Sequence, residues 1–119
     1  MTNDWSKSAS NQLRSILRTI AHELSREDAQ RWRVKIREAV RPLRTYPDMG
    51  AVVPPECFAY PHTANASLRQ IICSPYRIIY ETVGATNRIL AILHERQMVL
   101  PGDVRWDKQL DKIHTLPFT

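Results

Sequence analysis

The sequence predicts an α+β domain in which an N-terminal helix hairpin packs on a small antiparallel β-sheet, followed by a C-terminal extension. Three observations predict it. Residues 68–96 hold three apolar runs, at 71–73, 78–80 and 89–93, rich in β-branched side chains and separated by turn residues, which is the pattern of consecutive strands in a meander. Two segments upstream carry apolar residues at helical spacing, with almost no loop between them. Those two apolar stripes need a surface to cover, and the strands supply one.

In chain order, residues 2–5 are a short candidate leading strand. Ser8 or Ser10 is placed to cap the first helix, because a short hydroxyl satisfies the free amide donors of a first turn. Leu13, Ile16, Leu17, Ile20, Ala21 and Leu24 form its apolar stripe, with Arg14, Ser15, Arg18 and Thr19 on the other side. Ser25 with Asp28 three residues on matches a capping box and opens the second helix with acids in its first turn, where the helix dipole favours them. Trp32, Ile36, Ala39, Val40 and Leu43 share its apolar face, and Arg33, Arg37 and Arg41 form an i, i+4, i+8 stripe beside it. Pro42 either kinks the last turn or ends it.

Tyr46, Pro47, Asp48, Met49 and Gly50 mark the exit. Residues 50–67, with Pro54, Pro55 and Pro61, are expected to be a long loop pinned by Cys57, Phe58 and Tyr60; loops of that length are often binding elements. Pro75 lies between strands because it cannot donate to a ladder, and Gly84 marks the second hairpin connection. The apolar runs are doubled rather than alternating, so the sheet is expected to be covered on one face and sheltered on the other. Strand parity groups Arg77 with Ile79 and Glu81, and places Arg88, His94 and Arg96 together on one face. Residues 1–97 make the main domain. Residues 98–119 form an extension in which Val104, Trp106, Leu110 and Ile113 line one side of a short helix that packs back or mediates self-association.

Composition narrows the function classes. A chain of 119 residues with 43% hydrophobic and 24% charged residues is an ordinary globular domain. No run approaches a membrane span and the first ten residues lack a secretory core, so a cytoplasmic, membrane-free protein is expected. Cys57 and Cys73 are expected as reduced thiols, Cys73 inside a strand. The four histidines form no i, i+4 pair, so no metal or cofactor is expected. Between residues 31 and 44 six basic residues face Glu38 alone, which accounts for the whole net charge of +5. That concentration favours an acidic partner.

The order of the helix hairpin, the Pro47, Met49, Gly50 turn, then Leu68 and Arg69, Tyr76 to Tyr80 as YRIIY, and Leu93, His94 and Arg96 resembles the RelE/ParE superfamily of bacterial toxins from type II toxin–antitoxin systems. The matching features span residues 5–97. The resemblance implies a toxin held inactive by an antitoxin segment that folds on its surface, with room for a larger hetero-oligomeric assembly. It also implies two mechanisms. RelE-like members are metal-independent endoribonucleases that cleave mRNA on the ribosome; ParE-like members inhibit DNA gyrase without nuclease chemistry.

For RNA cleavage the resemblance offers Arg77 and Arg96 as phosphate contacts, with His94 as a base of near-neutral intrinsic pKa. The lysines and terminal tyrosine of RelE-like members are missing: no lysine lies between Lys35 and Lys108, and no tyrosine follows Tyr80. The Leu93, His94, Arg96 ending resembles ParE-like sequences better. A ParE-like gyrase inhibitor is therefore expected, with the ribosome-dependent nuclease as the alternative. Arg33, Arg37, Arg41 and Arg69 are the expected partner-binding residues.

Overall fold

The structure is a computed structural model that describes residues 1–53 and 68–95. Its elements are β1 (Thr2–Trp5), α1 (Lys7–Glu23), α2 (Arg26–Val40), a 3-10 turn (Arg41–Arg44), β2 (Ala51–Val52), β3 (Leu68–Cys73), β4 (Tyr76–Val83) and β5 (Thr86–His94). The strands form one sheet in the order β1-β5-β4-β3-β2. As expected, β3, β4 and β5 are an antiparallel meander. The sheet as a whole is mixed, because β1 runs parallel to β5, pairing Thr2 with Thr86 through Trp5 with Ile89.

The helix hairpin covers one face. Ala9, Leu13, Ile16, Leu17 and Ile20 of α1 and Ile36 and Val40 of α2 meet Ile71, Cys73, Ile78, Tyr80, Ile89 and Ile92 of the sheet in one buried cluster. Each fully buried aliphatic side chain there is worth roughly 1.5–3 kcal/mol. A second cluster, Val53, Leu68, Ile79, Leu90, Ala91 and Leu93, lies on the face away from the helices, which accounts for the doubled apolar runs. Among the described residues no helix is long and apolar enough to cross a membrane.

The first helix starts earlier than its apolar stripe suggests. Ser6, not Ser8 or Ser10, is the cap: its Oγ accepts from Ala9 N at 3.0 Å and its hydroxyl donates to Leu90 O at 3.3 Å. One side chain thus closes the helix start and ties it to β5. At the other end Leu24, expected in the stripe, is exposed, because the helix ends at Glu23. Gln12 explains how β5 is satisfied beyond the reach of β1, since its Oε1 accepts from Ile92 N at 2.9 Å.

The capping box at Ser25 is present, with Asp28 N donating to Ser25 Oγ at 3.0 Å and the Ser25 hydroxyl donating to Asp28 Oδ2 at 2.8 Å. Pro42 ends α2 and converts the chain to a 3-10 turn that buries Leu43. The stretch expected to be loop from residue 50 onward includes a strand at its start: Ala51 and Val52 pair with Gln70 and Arg69. Residues 54–67, with Cys57, Phe58 and Tyr60, lie outside the described residues. So do Arg96 and the 98–119 extension.

One irregularity decides which side chains share a face. Between Ile79 and Tyr80 the partner in β5 jumps from Ala91 to Ile89, leaving Leu90 as an extra residue in a β-bulge. The extra residue reverses parity along β5. His94, opposite Tyr76, points to the helix side, whereas Arg88, opposite Glu81, points away from it. The expected grouping of Arg88 with His94 is therefore corrected.

Candidate functional site

The strand-borne residues do not converge. Arg77 pairs with Leu93 and lies on the face away from the helices, while His94 pairs with Tyr76 on the helix side. Arg77 is engaged by Gln70, donating from Nε and Nη2 to Oε1 at 2.9 and 2.7 Å. His94 meets Tyr76 edge-on at 6.2 Å between ring centroids and borders a small cavity of about 160 Å³ with Ser15, Ile16, Thr19 and Ile20 of α1. Tyr76 in turn stands edge-on to Trp32 at 5.5 Å, and the Lys35 ammonium lies 4.6 Å from the Trp32 ring centre. His94 is thus part of an aromatic seam between helices and sheet. A base and a phosphate-binding cation acting on one phosphodiester must lie on the same side.

Arg69, an expected partner-binding residue, also braces the chain. Its Nη1 donates to Asp48 O at 3.1 Å and Gly50 O at 2.8 Å. Beside it the buried Tyr80 hydroxyl donates to Pro47 O at 2.7 Å and accepts from Gly50 N at 3.0 Å. A Cβ on Gly50 would stand 2.7 Å from Gln70 O and 2.8 Å from the Tyr80 ring. The turn is therefore clamped by Arg69, Tyr80 and the absence of a side chain at position 50.

Glu81 is buried, its Oε2 has no hydrogen-bond partner among the described residues, and its Oε1 is 3.8 Å from Arg88 Nη1. Burial pushes its carboxyl above the ordinary carboxylate range, with the Arg88 guanidinium opposing. A group with a raised folded pKa stabilises the fold below its unfolded pKa, and loses that contribution as pH rises through the folded value. Glu81→Gln is accordingly expected to raise Tm near neutral pH, by about 1 kcal/mol of stability or several degrees, and to leave it unchanged in acid. Thermal melts across that pH range check this; an equal shift at both ends would contradict it. Burial likewise pushes the Cys73 thiol up, as befits a packed, unreactive cysteine.

The cations that do gather are on the hairpin. Two adjoining cavities of about 280 and 310 Å³ share Trp5 and Arg37 as lining residues. Arg14 and Arg33 complete the cationic lining of one, Arg41 and Arg44 that of the other. Arg33, Arg37 and Arg41 belong to the stripe recognised from helical spacing. Arg14, Arg44 and Trp5 were not, because their approach depends on where β1 and α1 sit against α2.

A helix hairpin laid on one face of a mixed five-stranded sheet makes this a small two-layer α+β protein. A family model described as the ParE toxin of the type II toxin–antitoxin system parDE matches residues 4–99; the chain belongs to that toxin family. Among solved structures it is similar to a chromosomal ParDE toxin–antitoxin system from P. aeruginosa, with a TM-score of 0.59 and 22% identity over 77% of this chain and 92% of that one. That likeness bears on the fold. Among curated proteins none matches.

Proposed function

We propose that this ParE-family toxin arrests bacterial growth by inhibiting DNA gyrase and is neutralised in the cytoplasm by a cognate antitoxin. The observation that carries the choice of target is the placement of Arg77 and His94 on opposite faces of the sheet, which leaves no shared surface on which they act on one phosphate. The missing lysines and terminal tyrosine support the same choice. A protein antitoxin as partner is supported by family membership and by the similar solved structure, itself a toxin–antitoxin system.

Arg33, Arg37 and Arg41 are the residues we assign to macromolecular docking; Arg69 is left to its internal role. The purified chain is expected to block gyrase-driven supercoiling of relaxed plasmid and to leave mRNA on programmed ribosomes intact. Codon-phased mRNA cuts with supercoiling unaffected would replace gyrase with the ribosome as target.

A further inference from the structure

The groove formed by the two arginine-lined cavities has a chemistry more specific than general stickiness. Among the described residues five arginines line it and no aspartate or glutamate does. Glu38 reaches Arg41 at 3.5 Å on the exposed surface. Among the described residues Arg14, Arg33, Arg37 and Arg44 make no ion pair with a carboxylate. Like charges held this close repel, and an entering anion relieves the repulsion.

We propose that this groove binds a single strand of nucleic acid, with successive phosphates along Arg33, Arg37 and Arg41 and a base against Trp5. Four helical residues advance about 6 Å along the axis, a step comparable with that between neighbouring phosphates of an extended strand. Every cation in the lining is an arginine, whose planar fork of donors matches phosphate oxygens. The half-buried Trp5 ring borders both cavities, so an aromatic surface lies between the cations, the combination that serves strands with unpaired bases. An acidic peptide fits less well. The aliphatic lining residues, Leu13 and Val40, are already buried, which leaves no open apolar pocket for a peptide anchor.

The inference does not depend on gyrase as target, because it concerns the chain and a strand alone. The full-length protein is titrated into a fluorescein-labelled single-stranded DNA of about 12 nucleotides, followed by anisotropy at salt from about 50 to 200 mM. Three to five phosphate contacts predict a log–log salt slope of about −2 to −3.5. Arg37→Gln is expected to weaken binding severalfold and flatten the slope by roughly 0.7. Arg18→Gln, an exposed α1 position outside the groove, is expected to change neither. All these side chains are at the surface, and circular dichroism verifies that the variants fold. Absence of binding at the lowest salt, or equal losses in Arg18→Gln and Arg37→Gln, overturns the proposal. Competition by polyglutamate or by a duplex of equal length as strong as by unlabelled strand would likewise overturn it, assigning the groove to acidic peptides or to duplex backbone.

Discussion

The Arg77→Ala, His94→Ala double variant is expected to inhibit supercoiling as effectively as the unaltered chain, judged by the concentration that halves gyrase activity. In a nuclease the same pair of changes would be ruinous, since a positioned base alone contributes about 100-fold or more. The expectation follows from the environments of the two residues. Arg77 donates to Gln70 on one face, and His94 packs against Tyr76 on the other. Their removal alters packing at two separate places rather than one reaction centre, so folding should be verified before activity is compared. If the unaltered chain cuts ribosome-bound mRNA and the double variant cuts it a hundredfold less, the two residues are catalytic and the gyrase assignment fails.

Asn87→Ala is expected to be the most damaging polar substitution for stability. Asn87 is fully buried and joins three elements: Nδ2 donates to Leu43 O at 2.8 Å and to Asn3 Oδ1 at 3.0 Å, and Oδ1 accepts from the Thr82 hydroxyl at 2.8 Å. Asn3 extends the link by donating to Val40 O at 3.0 Å. Truncation leaves buried acceptors with no donor, at roughly 1–3 kcal/mol each. A combined loss of about 3 kcal/mol is a large part of the roughly 5–15 kcal/mol that holds a domain of this size together. Urea denaturation should show the midpoint falling accordingly, with Thr82→Ala costing much less. A loss below about 1 kcal/mol would mean that water replaces the amide, and that β1 and the 3-10 turn are held mainly by apolar contact.

The elements readable in the sequence are those whose local chemistry and packing agree. The β-branched runs of β3 to β5, the apolar stripe of α1 and the Ser25 box all specify what the fold contains. What could not be read depends on partners far along the chain. The two residues of β2 have no pattern to recognise, and the parallel pairing of β1 is settled by where α1 and α2 return the chain. The Ser6 cap is hidden in the sequence because the apolar stripe becomes regular only at Leu13, near Ser8 and Ser10, although Ala9 already packs in the core. Arg69 resembled a surface cation because its acceptors, Asp48 O and Gly50 O, lie about twenty residues away. Helical spacing puts Arg14 on the exposed side of α1, where it is; that it borders a groove with α2 depends on the hairpin geometry.

Leu90 illustrates a further limit on comparing chains by their letters. In the run from Ile89 to Leu93 every residue is apolar, so nothing in the composition marks the inserted one. Motif alignment alone would equate this histidine with that of any cousin ending its last strand in the same tetrapeptide. A cousin without the insertion would aim its imidazole at the reverse side, and homologous spelling would conceal a change of role. Residue counts from the Gly84 hairpin, rather than matching characters, are the safer guide when function is transferred within such a lineage.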